Sequence, residues 1–495
     1  MKNSLDPTGV IGRMRSAMQS ADWSAAISAA EAWRHNGGRD WRITLNQAVC
    51  ASRIRHGPEY TWLQLVQEAL QQSGHAPIAL LAASEVHCAT GQWEEALALV
   101  AELEQRRQAQ LPWEAIRLRC EALGRLGQTS RALEELLQWP PGQRDWRWQM
   151  AKADAHVQAN QWREAEHLYT SVLAERPHQP EAHLNLALAL LSQQRCAEAW
   201  PHYEWRRSNP RLNQWGIPQP LPSLASLIGQ DVVVVGEQGI GDQVMACRYL
   251  RHLACACRSL HVEPAPRLAP LLQRSLPNTV TVVSPGASPQ DTLVIGMASL
   301  PMLFWQELGL AAPGAGGYLQ TDRQRVEHWR QQLVGLPHGL RLGIGWLGGS
   351  TGAERRERSL SPADLQLLGD WPDVQWLDLQ YLPAGMELLA TVSTQAGMHR
   401  LGHPGSDIDD TMALIQSLDG VLTTRQTVAH LAGALAKPGQ VLVPARPEWR
   451  YWGVNNRWAW HPSLTLIQQE ERGTWEPALR QASHHWRFQT WTTST

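Results

Sequence analysis

Gly236-Glu-Gln-Gly-Ile-Gly-Asp242 follows the four valines Val232–Val235 and leads into the amphipathic segment ending at Leu250. That order specifies a buried strand, a tight turn and a helix start. Gly239 and Gly241 let backbone N–H groups and a helix N-terminus face an anion. Asp242 stands at the junction. A carboxylate there can take a proton from an attacking hydroxyl, or it can cap the helix by accepting its N–H groups. The glycine spacing is neither the P-loop, which needs Gly-Lys-Ser/Thr, nor the dinucleotide fingerprint. Without that fingerprint after any strand, a nucleotide-dependent oxidoreductase is a weak reading.

Two further stretches carry residues suited to phosphate. In Thr427-Val-Ala-His430, Thr427 is placed to cap a helix and His430 to hydrogen-bond a phosphate or ribose oxygen. Arg358-Ser359 follows the polar loop Gly348–Glu357, and such a loop either closes on a diphosphate or lies in solvent with its Glu and Arg paired together. Trp346, at the end of an expected strand, either supports a nucleotide or packs. Asp407-Ile-Asp409 has the form of a metal-binding DxD, but it opens a helix and reads as an acidic first turn. His399 and His403 are separated by Gly402 and followed by Pro404, which break the helix a zinc pair would need.

These residues need a frame, and the chain supplies two kinds. Its 495 residues suggest two to four domains. Asn160-Gln-Trp162-Arg-Glu-Ala165 recurs as Gln194-Arg-Cys196-Ala-Glu-Ala199, with Ala165 and Ala199 one period apart. Gly127-Gln-Thr129-Ser-Arg-Ala132, Gly91-Gln-Trp93-Glu-Glu-Ala96 and Ala21-Asp-Trp23-Ser-Ala-Ala26 repeat the grammar, with a degenerate unit around Trp62. A small or polar turn residue, an aromatic two on and an alanine three further on is how a helix hairpin packs. The pattern is similar to the tetratricopeptide repeat, whose period is ~34 residues. Five or six units are expected over Ser16–Arg207, as an all-α superhelix whose concave face takes a protein partner.

The proline-rich Ser208–Pro222 reads as a linker. Beyond it, strands alternate with helices in two cycles. The first has strands at Val232–Val235, Leu260–Glu263, Val280–Val283 and Leu293–Ile295, with helices near Gln243–Ala256 and Leu268–Ser275. The second has strands at Leu340–Trp346, Val374–Leu379, Gly420–Thr423 and Gln440–Val443, with helices at Pro362–Leu368, Thr411–Ser417 and Thr427–Leu435. A Gly-, Pro- and Gln-containing stretch near Ala311–His338 separates them. The expected layout is a helical array at 1–207, a linker at 208–229, and two Rossmann-like lobes at 230–325 and 338–482, with a ligand in the cleft above the strand ends.

Composition narrows the classes. A net charge of −2 leaves no basic excess for nucleic acid. No apolar run reaches the ~18–20 residues of a membrane span, and the N-terminus has no apolar core of a secretory signal. The seven scattered cysteines make no CxxC pair and fit reduced core thiols in a cytoplasmic protein. Tryptophan is abundant, 25 against 2 phenylalanines, and most indoles are expected to pack in cores.

Four segments together resemble bacterial tetratricopeptide-repeat proteins carrying a heptosyltransferase-like glycosyltransferase domain of the GT-B fold. They are Glu198–Arg206, Gly236–Gln243, Gly343-Ile-Gly-Trp346 with Arg358–Ser361, and Asp410-Thr411 with Leu418-Asp419 and Thr427–Leu435. Pro444 to Trp449-Arg450 and Trp475 extend the likeness. The resemblance implies twin lobes, an acceptor side and a nucleotide-sugar side. It also implies sugar transfer to a protein or glycan acceptor presented by the repeats, with the nucleotide sugar as co-substrate and no cofactor or metal. In that family an Asp of the matching glycine loop is the general base, which points to Asp242. Gly239, Gly241, Trp346, Arg358, Ser359, Thr427 and His430 would then line the donor site. The chain departs from the pattern at Arg425, where the family often has Asp, and at Ala436, where it often has Gly. Arg425 either pairs with phosphate or marks a scaffold that has lost catalysis and acts through its repeats.

Overall fold

The computed structural model describes residues 6–488 except 21, 108–109, 209–221, 288, 290–291, 309–315, 350–351, 382–387, 403–406 and 447. The expected linker therefore lies mostly outside the described residues, as does His403. Contacts group the chain into two units, Met1–Glu175 with Gly349–Glu357, and Arg176–Gly348 with Arg358–Thr495.

The first unit is a stack of helix pairs: α1 (Pro7–Gln19) with α2 (Trp23–His35), α3 (Trp41–Ile54) with α4 (Glu59–Ser73), α5 (Pro77–Thr90) with α6 (Trp93–Arg106), α7 (Trp113–Arg125) with α8 (Thr129–Gln138), and α9 (Trp146–Gln158) with α10 (Trp162–Glu175). Successive first helices also pack on one another, α3 on α5, α5 on α7 and α7 on α9. The repeating grammar has a direct physical basis. Ala26, Ala96, Ala132 and Ala165 are buried where the paired helices meet, and Trp62 and Trp93 are buried at the aromatic position. The turn position requires left-handed backbone: Gly91, Gly127 and Asn160 have φ of 77°, 79° and 59°. Within this unit the segment Gly349–Glu357 packs on the repeats. The Gly352 N–H donates to Glu59 at 2.8 Å, Arg356 donates to the Gly91 carbonyl at 2.6 Å, and Arg125 pairs with Glu357 at 3.1 Å. The stretch expected as a polar loop contains the helix Gly352–Arg358, and its Arg356 and Glu357 find partners on the repeats rather than on each other.

The second unit opens with a further pair, α11 (Pro180–Ser192) and α12 (Cys196–Tyr203), where Ala199 and Trp200 are buried and Gln194 takes the left-handed turn position. Two sheets follow. The first contains β1 (Asp231–Val235), β2 (Ser259–Glu263), β3 (Val280–Val282) and β4 (Leu293–Gly296), all parallel, in the order β3-β2-β1-β4. Val233 lies between His261 and Val294. A strand paired on both sides in a parallel sheet is buried on both faces, hence the uninterrupted valines.

The second sheet has β5 (Leu340–Gly345), β6 (Val374–Asp378), β7 (Gly420–Thr424), β8 (Gly439–Val443), β9 (Gly453–Val454), β10 (Arg457–Trp458) and β11 (Leu464–Gln468). Its order is β6-β5-β7-β8-β11-β10-β9, parallel from β6 to β11 and antiparallel in the last two strands. The chain reverses its direction of travel between β1 and β4 in one sheet and between β5 and β7 in the other. Ligands of open parallel sheets bind at such switch points, outside the carboxyl ends of the strands.

Several elements differ from the sequence reading. The helix expected at Gln243–Ala256 is two, Ile240–Ala246 and Leu250–Ala256, joined by a tight turn at Cys247–Tyr249. The stretch expected as a connector at Ala311–His338 contains the helix Arg323–Val334, capped by Asp322, which accepts the Gln324 and Arg325 N–H groups. β9 to β11 and the helix Glu476–Phe488 were not expected. The β9–β10 hairpin turns on Asn455-Asn456, both at positive φ (53° and 61°), the two-residue turn that matches strand twist. Among the described residues no helix is long and apolar enough to cross a membrane.

Ala436 follows the C-terminal end of the helix Thr427–Ala434, and its φ is +55°. Glycine suits this position because the helix ends there in left-handed backbone. Ala436→Gly is therefore expected to stabilise the protein by a few tenths to about 1 kcal/mol, the relief of strain being partly offset by the freer unfolded chain. A chemical-denaturation midpoint that stays unchanged or falls would show that the position demands something else.

Candidate functional site

The two switch points meet within the second unit. The glycine loop after β1 is held from behind by the end of α12. Tyr203 accepts from Gln238 Nε2 at 2.7 Å through its hydroxyl. Glu237, 1% exposed, receives Arg206 at 2.5 Å and 3.2 Å and also accepts the Ala298 N–H just beyond β4. Arg206 in turn holds Glu204 at 2.6 Å and Ser299 at 2.7 Å. The motif Glu198–Arg206 therefore does more than close the helical pairs: it anchors the loop that carries Asp242.

Gly239 caps the helix Ile240–Ala246, and its N–H donates back to Asp242 Oδ2 at 3.2 Å. Asp242 Oδ1 lies 2.7 Å from Arg450 Nε. Gly241 faces the second sheet's helix: a Cβ there would stand 2.8 Å from His430 Cδ2. Its lack of a side chain is what lets the helices Ile240–Ala246 and Thr427–Ala434 pack together. Gly241 and His430, far apart in sequence, are thus neighbours.

Around the second switch point stand Arg358, Ser359, Arg425 and Thr427. A Cβ on Gly348 would come within 2.8 Å of Arg358 Cβ and 3.0 Å of the Arg425 carbonyl, so the loop after β5 and the loop after β7 lie in contact. The Gly348 N–H donates to Ser359 Oγ at 3.2 Å, and the Ser359 carbonyl accepts the Trp475 indole at 3.0 Å. Thr427 does not cap its helix as expected: it is the first helical residue, partly exposed, and Gln426 stands at the cap position without a side-chain hydrogen bond. Trp346 is 2% exposed in the core and donates its indole N–H to Asp378 at 3.3 Å; it packs.

Glu448, between β8 and β9, is the residue that gathers the cations. Its Oε1 accepts from Arg358 at 2.7 Å and lies 3.3 Å from Arg425 Nη2, while Oε2 is 3.6 Å from Arg450 Nη1. Burial alone would raise this carboxyl, but Arg425, Arg358, Arg450 and Arg446 outweigh it and hold it at about 2. Arg450 also lies over Trp449, 4.4 Å from the ring centroid, and donates to Gln238 at 3.1 Å. Trp458 of β10 donates its indole N–H to the Arg450 carbonyl at 2.5 Å, so the unexpected hairpin positions this arginine. Sequence reasoning missed Glu448, Gln238 and Tyr203; the Asn-Asn turn signal and the Glu448-Trp-Arg450 triplet were the available clues.

His430 has both ring nitrogens engaged, Nδ1 with His461 Nε2 at 3.3 Å and Nε2 with the Tyr451 hydroxyl at 3.3 Å. Burial, with Arg450 and Arg248 adding to it, pushes its imidazole down to about 3, and His461 is also held well below its usual range. Such groups stay neutral in the folded protein and take up protons in the unfolded chain near pH 6.5. Stability should therefore fall as pH drops from about 6.5 toward 3, on the order of 1.4 kcal/mol per pH unit for each buried imidazole. Glu448 acts in a lower window, its contribution being present above its ordinary value and lost as pH falls toward about 2. Urea midpoints at pH 7 and pH 5 check this. Equal midpoints, or a higher one at pH 5, would mean that the imidazoles are protonated in place.

The residues of the formal DxD serve as cap and ion-pair partners. Asp407 accepts the Asp409 and Asp410 N–H groups and pairs with Arg325 at 2.6 Å, and Asp409 pairs with Arg274. His399 bonds Gln375 at 2.9 Å.

Residues 150–204 match the family model described as Tetratricopeptide repeat. The matched stretch covers the pairs α9–α10 and α11–α12, which are tetratricopeptide repeats, and the pairs before them share their turn and alanine positions. The chain is 31% identical over 323 residues to Protein FlbA of Caulobacter vibrioides, an alignment covering 59% of this chain and 52% of that protein. It thus spans about half the length of this curated relative. Among solved structures, it is similar to a tetratricopeptide repeat protein from Parabacteroides merdae, with 16% identity, a TM-score of 0.32, and coverage of 39% of this chain and 76% of that one. It is also similar to YrrB, titled a TPR protein with an unusual peptide-binding site, with 16% identity, a TM-score of 0.24, and coverage of 33% and 84%.

Proposed function

We propose that the second unit is a GT-B-type glycosyltransferase domain that binds a nucleotide sugar where its two switch points meet, and that the repeats present a protein or glycan acceptor. The observation that carries this reading is the approach of the two loops: Asp242 stands 2.7 Å from Arg450, and Gly241 lies against His430. Asp242 serves as general base. Arg450 and Gly239 each use one side of its carboxylate, and each oxygen retains a second lone pair for an acceptor hydroxyl. Arg358, Arg425 and Arg450 take the charge of the departing diphosphate. Thr427 opens the helix behind them. His430 acts from beneath, packing Gly241 and the Tyr451 loop into place, while Trp346 supports the strand end. Tetratricopeptide repeats in the first unit suit a protein partner.

A second reading is a scaffold without catalysis. The presence of Glu448 among the arginines favours it, because a protein carboxylate already stands where the diphosphate would go. Calorimetric titration with common nucleotide sugars separates the two. Saturable binding of one donor class supports the transferase, and silence across all of them leaves the scaffold.

A further inference from the structure

We infer that Glu448 is a resident counter-anion: it holds Arg358, Arg425 and Arg450 assembled and is displaced when phosphate oxygens of a ligand bind. This rests on the donor-site reading and adds how that site is kept ready. The three guanidiniums come from three separate segments: the last residue of the helix Gly352–Arg358, the loop after β7, and the loop after β8. Like charges brought this close repel unless an anion stands between them. Arg450 has Asp242 as its nearer carboxylate, at 2.7 Å, and the two oxygens of Glu448 can meet only one fork in bidentate fashion. The distances reflect this: 2.7 Å to Arg358, but 3.3 Å to Arg425 and 3.6 Å to Arg450. A diphosphate offers more oxygens and more charge.

The two sides of the cluster also differ in freedom. Arg425 is 3% exposed and fixed at the end of β7, 5.8 Å from the Tyr451 ring. Glu448 keeps 31% of its side chain exposed on the turn between β8 and β9, so it can swing outward. The chemistry that displaces it is a pyrophosphate group, borne by a nucleotide or free.

Titrating inorganic pyrophosphate and nucleoside diphosphates into wild type, Glu448→Gln and Glu448→Asp at low salt tests this. Both variants, checked for folding by circular dichroism, are expected to bind pyrophosphate about tenfold more tightly than wild type, having lost or shortened one competing charge-assisted contact. Equal or weaker binding overturns the inference, as does binding by none of the three. A wild-type structure with pyrophosphate should show Glu448 withdrawn from Arg358; a carboxylate still seated beside the bound anion also overturns it. Tightening for pyrophosphate with no nucleotide binding leaves the counter-anion standing and defeats the donor reading. Nucleotide-sugar binding of the same strength in wild type and Glu448→Gln does the reverse. Tightening for nucleoside diphosphates but not for pyrophosphate contradicts displacement by the diphosphate itself.

Discussion

Arg206→Met is expected to cost about 3–5 kcal/mol, because it leaves the Glu237 carboxylate buried without its cation, while Glu204 keeps Arg207 at 2.7 Å. Arg206 is 1% exposed, and burial works against its charge, but the two carboxylates outweigh that and keep it charged. The loss falls on a particular place. Glu237 sits inside the glycine loop, so removing its partner frees the turn that orients Asp242. Pairing the change with Glu237→Gln should recover part of the loss, since one stranded charge is then gone. Urea unfolding of the single and double variants measures this. A single variant within about 0.5 kcal/mol of wild type, the range of an ordinary surface substitution, would mean that the triad contributes little.

Asp242→Asn carries the largest effect on chemistry. Removing the base from sugar transfer is expected to lower turnover about 10²–10⁴-fold, while the amide oxygen can still accept from the Gly239 N–H and keep the turn. The readout is transfer or slow hydrolysis of whichever nucleotide sugar binds, with donor affinity measured alongside. Unchanged turnover would remove Asp242 from the reaction. Equal losses of affinity and turnover would make it a donor ligand instead.

The strands that are buried on both sides were legible in the sequence because burial leaves a plain signature. Val232–Val235 and Leu342–Gly345 are buried apolar stretches that lead into or end on glycine, and they lie inside their sheets next to both switch points. The repeats were legible for a related reason: buried alanine and a left-handed turn residue recur wherever a helix pair closes. The β9–β10 hairpin was not legible, since two-residue strands carry no periodicity and only Asn455-Asn456 marks the turn. Gly241 and His430 were named for a phosphate, yet the first serves helix packing and the second has both ring nitrogens inside a buried aromatic group. Residue type alone could not separate those roles, because close backbone approach and anion contact ask for the same glycine. The role of Glu448 was hidden for another reason, although the Glu448-Trp-Arg450 triplet marks the place. Its importance lies in three arginines arriving from distant segments, and a single sequence does not disclose such convergence.

Ala436 shows the converse. Its departure from the family pattern lies in left-handed backbone and concerns how a helix ends. Arg425 differs in kind. It is buried at the end of β7 against Glu448, so an opposite charge stands where a phosphate would otherwise answer it.

A crystal structure of the chain with a nucleoside diphosphate bound tests the twin-loop site most directly. The diphosphate should lie within about 2.7–3.2 Å of the Arg358 or Arg425 guanidinium, with Asp242 facing the space beyond it. A nucleotide seated elsewhere on the second unit, or none bound at saturating concentration, would contradict the reading and leave the repeats as the functional part of the chain.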